Sequence, residues 1–215
     1  MLSVSGRETA EVRREVDAAP LTCSSAVRLK HVRTGRMLSS KGMQYGGGSQ
    51  QQIVTACQDV SDYAAIWHIK EATKGAPCLS GEPIKCGDTI RLEHMNTEKN
   101  LHSHLFDSPL SQRQEVSGFG DGGYGDEGDD WVIECEMRMR SDNVIMGDTT
   151  FYLKHVATSK YLMTDRESQF NERNCRRCPI IGENEVSCAI GKSKQAVWQV
   201  HSGFFVPERT EELPN

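Results

Sequence analysis

The chain has 215 residues, of which 37% are hydrophobic, and its formal net charge at pH 7 is −5. A nucleic-acid-binding domain usually presents a basic surface, so this acidic balance argues against nucleic acid as a partner. No apolar stretch approaches the roughly 20 residues of a membrane-spanning helix, which predicts that the protein does not insert into a bilayer.

Both ends of the chain are predicted to be disordered. Residues 1–22 have mixed charge and lack the apolar middle region of a secretory signal peptide. Residues 206–215 are polar and carry no retrieval tetrapeptide of the K-D-E-L kind. The intervening residues 23–205 are predicted to form a single domain.

One short sequence phrase occurs three times in that domain and predicts its architecture. The copies are Leu29–Thr34, Leu92–Thr97 and Leu153–Thr158, roughly 60 residues apart. Three copies that fill a domain predict a closed threefold object rather than an open solenoid. The repeats span about residues 25–70, 89–135 and 150–201 and close on tryptophans, which are Trp67, Trp131 and Trp198.

Each repeat is predicted to consist of short β-strands. Apolar and polar residues alternate at the start of every copy, as in Val27, Leu29 and His31, and this period of two is typical of half-buried strands. Turn-forming residues follow each run, and no window shows a sustained helical period. The fold class is therefore all-β, specifically a β-trefoil with three repeats around a pseudo-threefold axis. The three tryptophans are expected to fill equivalent positions in the core.

The histidines fall into two groups with different expectations. His31, His94 and His155 share a strand face with a buried leucine, which favours core histidines with satisfied ring nitrogens over a threefold metal site. His102 and His104 occur in the middle repeat only and are therefore candidates for a local role. No metal site is predicted, and the acidic segment Gly118–Asp130 lacks a calcium-loop pattern and is interpreted as a solvated loop.

Eight cysteines fit an oxidising compartment. Cys78 and Cys86 flank a Gly- and Pro-containing turn and are predicted to form one disulfide. Cys23 and Cys135 lie at corresponding edges of repeats and form a second possible pair. The C-x-x-C sequence at Cys175 and Cys178 is interpreted as a structural pair or as two loop cysteines. A redox or zinc role is less favoured, because no further ligands complete a four-ligand set.

Motifs for catalysis are missing from the sequence. It contains no G-x-S-x-G elbow, no phosphate-binding glycine loop and no H-E-x-x-H. A protein without enzymatic activity and without a cofactor is predicted.

The middle repeat carries a family resemblance. The sequence from Ile84 to Thr97, continued by Leu101–His104, resembles a MIR motif, the β-trefoil repeat found in protein O-mannosyltransferases and in inositol-trisphosphate and ryanodine receptors. Together with Tyr45–Gln51, Gln114–Ser117 and Asp129–Trp131, it is similar to the stromal cell-derived factor two family. The L-H-S-H sequence is intact in the middle repeat alone.

The resemblance implies a non-catalytic protein of the endoplasmic reticulum lumen that acts in protein folding and quality control. Its implied partners are a J-domain co-chaperone, the luminal Hsp70, and unfolded or O-mannosylated clients. The alternative is a carbohydrate-binding module in which His102, Ser103, His104 and Gln114 hydrogen-bond mannose-type hydroxyls. The predicted ligand- or partner-binding residues are Leu101, His102, Ser103, His104, Gln114 and Glu115.

Overall fold

The computed structural model describes residues 19–61, 63–135 and 143–209, and in these ranges the chain forms twelve β-strands. Each repeat contributes four strands. The first repeat contains β1 (Ala26–His31), β2 (Met37–Gln44), β3 (Gln52–Cys57) and β4 (Trp67–Glu71). The second contains β5 (Thr89–His94), β6 (Lys99–Asp107), β7 (Gln114–Phe119) and β8 (Trp131–Cys135). The third contains β9 (Thr150–His155), β10 (Tyr161–Gln169), β11 (Asn184–Ala189) and β12 (Trp198–Phe204).

In the described ranges, the remaining regular structure consists of three short 3₁₀ turns, one before the last strand of each repeat. They span Tyr63–Ala65, Glu127–Asp129 and Lys194–Ala196. The all-β prediction is confirmed.

The first and last strands of the repeats form a closed ring. β1 pairs with β4, β4 with β5, β5 with β8, β8 with β9, β9 with β12, and β12 with β1, all antiparallel. The second and third strands form three hairpins, in which β3, β7 and β11 pair with one another. Closure leaves the ring without a free sheet edge, and an unpaired edge is a template for pairing with another chain and for aggregation.

The core lies inside the ring and contains the residues that repeat in the sequence. All three tryptophan side chains are fully buried, as predicted. Their indole nitrogens donate hydrogen bonds of 2.8–2.9 Å to the carbonyl oxygens of Leu38, Leu101 and Leu162. Each tryptophan therefore joins the last strand of its repeat to the hairpin of the same repeat, which explains why the two residue types recur together.

The repeated histidines are core residues, as predicted. Nδ1 of His31 lies 2.8 Å from Thr34 Oγ1, and its Nε2 lies 3.0 Å from the carbonyl oxygen of Gln195. A carbonyl only accepts, so Nε2 carries the proton and Nδ1 accepts from the threonine hydroxyl. His94 and His155 make the same pair of contacts in the other repeats.

Each histidine ring also packs against the tryptophan of the preceding repeat, with ring centroids 5.0–5.1 Å apart. The histidines thus connect neighbouring repeats around the whole ring.

Stability is expected to fall as the solution is acidified from about pH 6.5 to pH 4. Burial lowers the pKa of His31 from 6.5 to about 4, and it also lowers the pKa of His155. Within this window the unfolded chain binds more protons than the folded chain, so the free energy of unfolding decreases as pH falls. For His31 alone the loss is on the order of 3 kcal/mol. Urea denaturation at pH 7 and pH 4.5 measures it, and an unchanged midpoint would contradict the expectation.

The ordered domain extends beyond the predicted boundaries at both ends. The backbone of Leu21 donates to Ile145 at 2.7 Å, and its side chain is buried. At the other end, the backbone of Val206 donates to Ser25 Oγ at 3.0 Å and that of Arg209 donates to Gly81 at 3.0 Å. The prediction of disordered tails was therefore wrong for residues 19–22 and 206–209, because backbone hydrogen bonds and the buried Leu21 side chain hold these segments to the domain. Residues 1–18 and 210–215 lie outside the described part.

The four candidate cysteines are all disulfide-bonded, but both predicted pairings were wrong. Cys23 is joined to Cys78, and Cys86 is joined to Cys135. The linker between the first two repeats explains this pairing. Its start lies beside the N-terminal segment, where Gly81 N donates to Cys23 O at 3.1 Å, and its end lies beside β8, where Gly87 N donates to Ile133 O at 2.7 Å.

Candidate functional site

The predicted site lies on the β6–β7 hairpin of the second repeat. Leu101, Ser103 and Gln114 are all buried there. Ser103 Oγ donates to the carbonyl oxygen of Glu115 at 2.7 Å, and Gln114 Nε2 donates to Ser103 at 2.8 Å and to Thr158 at 3.0 Å. Gln114 therefore holds the hairpin to the third repeat, while the side chains of Leu101 and Ser103 lie inside the fold. That these three residues contact a ligand stays a prediction.

The first repeat contains the same hydrogen bonds, made by Gln52. Gln52 Nε2 donates to Ser40 Oγ at 2.8 Å and to Thr97 Oγ1 at 2.7 Å. Because the contacts recur in a copy that lacks the histidine pair, they belong to the construction of the fold.

His102 is bound to a buried carboxylate. Its Nδ1 lies 2.9 Å from Asp129 Oδ1, and Asp129 is fully buried. Burial raises the pKa of the Asp129 carboxyl, and the hydrogen bond and charge of His102 act in the opposite direction. The second carboxylate oxygen accepts from Asn100 Nδ2 at 3.2 Å and from the backbone of Asp126 at 2.8 Å. Asp129 thereby joins β6 to the acidic loop.

The interpretation of Gly118–Asp130 as a solvated loop was wrong at its C-terminal end. Asp129 and Asp130 are buried. Asp130 Oδ1 accepts from the backbone and the hydroxyl of Thr73, at 2.8 and 3.1 Å. The 3₁₀ turn at Glu127–Asp129 begins with a capping box formed by Asp126 and Asp129, which satisfies the first backbone N–H groups of the turn. This local capping draws the acidic side chains inward.

Three potential metal ligands meet in this loop. Nδ1 of His102 and a carboxylate oxygen each of Asp126 and Asp129 lie within 4.8 Å of one another. The Asp129 oxygens and His102 Nδ1 are already joined in the hydrogen bonds given above, which account for the positions of these two side chains. Asp126 Oδ1 accepts from the backbone of Gly128 at 2.8 Å, so each of the three side chains has a hydrogen-bond partner within the protein.

A second histidine–carboxylate pair lies beside the first. His104 Nε2 donates to Glu115 Oε1 at 2.8 Å, and the same carboxylate accepts from the hydroxyl of Ser49. The His104 side chain is 17% exposed, so it is the predicted site residue that reaches solvent most. Its ring lies 5.0 Å from those of both His102 and Phe106, and His102 lies 4.6 Å from Phe119.

Buried carboxylates anchor the hairpin loops to the neighbouring repeat. The loop after β2 reaches Glu115 through Ser49, and the backbone amides of Leu110 and Ser111, in the loop after β6, donate to Glu185 at 2.7 and 3.1 Å. Ile53 occupies the corresponding position of β3, and it packs with Phe170 and Ile180 from the third loop. Glu115 therefore makes two contacts: it anchors the loop after β2 through Ser49, and it accepts the hydrogen bond from His104.

Two clefts lie between consecutive hairpins in equivalent positions. The repeat-one cleft, of about 720 Å³, is lined by Gln50–Gln52 from one hairpin and by Lys99 and Phe119–Asp121 from the next. The repeat-two cleft, of about 300 Å³, is lined by Leu105–Asp107 and Gln112–Gln114 on one side and by Lys160 and Cys188–Ile190 on the other.

The third equivalent position is bridged by an arginine. Arg36 follows its repeat's threonine at the same interval as Lys99 and Lys160 do. Its Nη1 donates to the carbonyl oxygen of Gly182 at 2.8 Å and to that of Ala56 at 3.4 Å. The guanidinium thus spans the two hairpins that flank this position.

The rim of the repeat-two cleft is apolar and exposed. Leu105 and Ile190 are 82% and 88% exposed, and Phe106 is 50% exposed. Leu105 and Phe106 lie where the β6–β7 register shifts, between Ser103 and Asp107, which interrupts the inward and outward alternation of the strand. Sequence reasoning missed these three residues and Asp129. The sequence contained one signal for Leu105 and Phe106, because this apolar pair directly follows His104.

The packing of Gly128 on His102 can be tested by substitution. A Cβ at Gly128 would overlap Cε1 of His102, so Gly128→Ala is expected to displace the imidazole from Asp129. Overpacking of this kind costs about 1–3 kcal/mol of unfolding free energy. Urea denaturation measures the loss, and the NMR signals of the His102 ring report its displacement.

Gly47→Ala is the matched control, because a Cβ there meets nothing within 4 Å. It is expected to change stability by less than about 0.5 kcal/mol. Equal effects of the two substitutions would contradict the close packing at Gly128.

Within the described ranges, no helix combines the length and the apolar character needed to span a bilayer.

Comparisons with known proteins agree on one relationship. A family model described as MIR domain matches residues 42–198. Stromal cell-derived factor 2 from Mus musculus is 39% identical over 188 residues, covering 87% of this chain and 83% of that protein.

Solved structures extend the comparison. The SDF2-like protein from Arabidopsis thaliana superposes with a TM-score of 0.80 at 34% identity, over 89% of this chain and 100% of that chain. The S. cerevisiae protein O-mannosyltransferase Pmt1-Pmt2 complex bound to the sugar donor has a chain that superposes with a TM-score of 0.75 at 26% identity, over 91% of this chain and 27% of that chain. The chain is thus similar to most or all of the SDF2-type chains and to about a quarter of a chain of the mannosyltransferase complex.

Proposed function

Since this chain belongs to the stromal cell-derived factor 2 family of MIR-domain proteins, we propose that it is a non-catalytic chaperone accessory of the endoplasmic reticulum lumen. In this role it binds unfolded or O-mannosylated clients and a J-domain co-chaperone that works with the luminal Hsp70. The disulfides support an oxidising compartment, where such bonds persist.

We further propose that the fold is a β-trefoil of three MIR repeats. Support comes from the six-strand ring, from the three hairpins that pair with one another, and from the tryptophan and histidine contacts that recur in every repeat.

The observation that carries the client-binding role is the exposed apolar rim of the repeat-two cleft. Soluble proteins rarely leave several large apolar side chains together on the surface, and such groups mark binding sites. Leu105, Phe106 and Ile190 surround a groove that also contains Lys160. An extended client segment with alternating apolar side chains would bury these residues, while its backbone hydrogen-bonds the polar groups of the groove.

A triple substitution tests this role. Replacing Leu105, Phe106 and Ile190 by serine is expected to remove more than half of the protein's ability to suppress aggregation of a denatured reporter polypeptide, measured by light scattering at equimolar ratio. The control replaces Tyr63 and Phe204 by serine, since both are 74% exposed and neither lines the cleft. Equal suppression by both variants would refute client binding at this cleft.

The partner assignment needs a separate measurement. Affinity purification from the secretory compartment, followed by mass spectrometry, is expected to recover a J-domain protein together with this chain. A clean purification without any such protein would refute the co-chaperone part of the proposal and leave the client assay unaffected.

The alternative function is a carbohydrate-binding module, and the repeat-one cleft favours it. The cleft combines a carboxylate (Asp121), an amine (Lys99), glutamine side chains and one aromatic ring (Phe119), which suit sugar hydroxyls and a sugar face. The similarity to a chain of the yeast protein O-mannosyltransferase complex, which was solved with its sugar donor, adds a connection to sugar chemistry.

Shallow polar sites of this kind give affinities of roughly 1 mM, or about −4 kcal/mol. If the repeat-one cleft binds carbohydrate, NMR titration with mannose is expected to shift the signals of Gln51 and Asp121. If those signals and those around His104 do not move, carbohydrate binding is excluded at both places.

A further inference from the structure

The loop between β10 and β11 carries a chemical group that client binding does not use. Cys175 and Cys178 form a disulfide with two residues between them, in the sequence Cys-Arg-Arg-Cys. Both cysteines are half-buried, and Arg176 and Arg177 between them are exposed. The bond therefore lies at the base of a turn whose two central residues face solvent.

The backbone of this loop is held in a tight turn. Cys175 N donates to Asn171 O at 2.8 Å and Cys178 N to Cys175 O at 3.3 Å. Arg177 has a φ of 57°, in the left-handed region that residues with a Cβ seldom adopt. Backbone of this kind persists where surrounding contacts impose it, and it recurs at reactive sites.

The fold stabilises this disulfide much less than the other two. The Cys175–Cys178 bond closes a separation of 3 residues, whereas Cys23–Cys78 and Cys86–Cys135 close separations of 55 and 49. The entropy that a disulfide removes from the unfolded chain grows with the length of the closed loop. Accordingly, folding protects the short bond least against reduction, and disulfides of low protection are the labile ones.

Local charge favours the reduced form of the pair. Residues 171–178 contain Arg173, Arg176 and Arg177 and a single acidic residue, Glu172. Nearby positive charge stabilises a thiolate, and a more stable thiolate leaves faster when the disulfide is attacked. A disulfide whose reduced form is stabilised is also a stronger oxidant.

The turn rests on a scaffold that does not depend on the disulfide. Cys175 and Cys178 pack against a cluster that contains Tyr45, Ile53 and the loop's own Phe170 and Ile180. Phe170 and Ile180 are buried, so they hold the loop to the first repeat on both sides of the cysteines. The bond can therefore open while the loop stays in place.

From these features we propose an activity beyond the binding role above: Cys175 and Cys178 form a redox-active pair that transfers its disulfide to cysteine-containing polypeptides. A substrate thiolate attacks one sulfur of the pair, the Cys175–Cys178 bond breaks, and its electron pair goes to the departing sulfur, which becomes a thiolate beside the arginines. A substrate–protein mixed disulfide is formed in the same step.

A second substrate thiolate then attacks the substrate sulfur of the mixed disulfide and releases the remaining protein cysteine as a thiolate. Two electrons have passed from the substrate to the pair, and the two protons of the substrate thiols pass to solvent or to the pair. The substrate gains one disulfide. A small disulfide of the oxidised-glutathione class regenerates the pair and is itself reduced to two thiols.

The first experiment measures the redox equilibrium of each disulfide separately. The purified full chain is equilibrated in glutathione buffers of graded composition, free thiols are alkylated, and each pair is quantified by peptide mass spectrometry. Cys175–Cys178 is expected to be half-reduced at a reduced-to-oxidised ratio at least about tenfold lower than either long-loop disulfide. Reduction of all three together, or of this pair last, would overturn the proposal.

The second experiment measures transfer. Stoichiometric protein is mixed with a synthetic peptide dithiol, and disulfide formation in the peptide is followed by mass spectrometry. The natural chain is expected to oxidise one equivalent of peptide, and the variant with Cys175→Ser and Cys178→Ser is expected to oxidise none. Because the two long-loop disulfides remain in that variant, they serve as the internal control.

A third variant tests the role of the charges. Arg176→Gln with Arg177→Gln is expected to slow transfer by about tenfold, because the leaving thiolate loses its neighbouring charge. Both side chains are exposed, so folding is not expected to change.

Equal peptide oxidation by the natural chain and the serine variant would overturn the proposal. The outcome does not depend on client or co-chaperone binding, since only purified protein and peptide are used.

Discussion

Replacement of Trp131 by alanine is expected to lower the free energy of unfolding by about 4 kcal/mol. The side chain is fully buried, and its removal leaves a large cavity beside the ring of His155, 5.0 Å away. It also leaves the carbonyl oxygen of Leu101 without its 2.8 Å hydrogen bond from the indole. Domains of this kind are stable by about 5–15 kcal/mol in total, so the loss is large. Urea denaturation monitored by circular dichroism measures it.

Tyr124→Ala is the matched control, because the side chain of Tyr124 is 83% exposed. Its effect is expected to stay within about 0.5 kcal/mol. Trp198→Ala should behave like Trp131→Ala, since Trp198 makes the equivalent bond to Leu162 at 2.9 Å. A loss below about 1 kcal/mol at either tryptophan would contradict their role in joining each last strand to its hairpin.

Removal of the Cys86–Cys135 disulfide by two serine substitutions is expected to destabilise the protein by about 4 kcal/mol. The bond spans 49 residues and closes the whole second repeat, so its loss gives the unfolded chain many additional conformations. Urea denaturation of the double variant, compared with the natural chain under oxidising conditions, gives the difference.

The Cys175–Cys178 pair provides the comparison for this prediction. Its removal is expected to reduce stability by about 2 kcal/mol or less, because the closed loop is short. If removal of the two disulfides had equal effects, loop length would not control their contribution here.

The parts of the fold that were predicted from sequence are those that the chain repeats. A leucine, a histidine and a tryptophan recur because each repeat must fill an equivalent place in one shared core, so the repeated pattern carries information about distant contacts. The burial of Trp67 and the satisfied ring of His31 follow from this and are confirmed.

The cysteine pairing could not be predicted in the same way. It depends on the path of a linker that occurs once and on where Cys78 and Cys86 lie relative to the N-terminal segment and to β8. A turn signal between two cysteines shows that the chain reverses, but the sequence does not show which neighbour lies closest to each sulfur.

The candidate site was predicted only in outline. The L-H-S-H sequence pointed to the hairpin that carries the histidine–carboxylate pairs, but alternation could not show that Ser103 is used inside the fold or that Asp129 is buried against His102. The exposure of Leu105 and Phe106 depends on a register shift, and a register shift is a property of two paired strands that one strand does not reveal.

Arg36 bridges the third of the equivalent positions between consecutive hairpins, and it thereby determines how many of these positions can hold a ligand. With Arg36 bonded to Gly182, the described surface offers two open clefts of the equivalent set, so a partner with several binding segments meets a divalent protein. Linked segments gain from divalency only when the connector spans the distance between the two sites. The spacing of recognition segments along a client, rather than their number, would then govern how firmly it is retained.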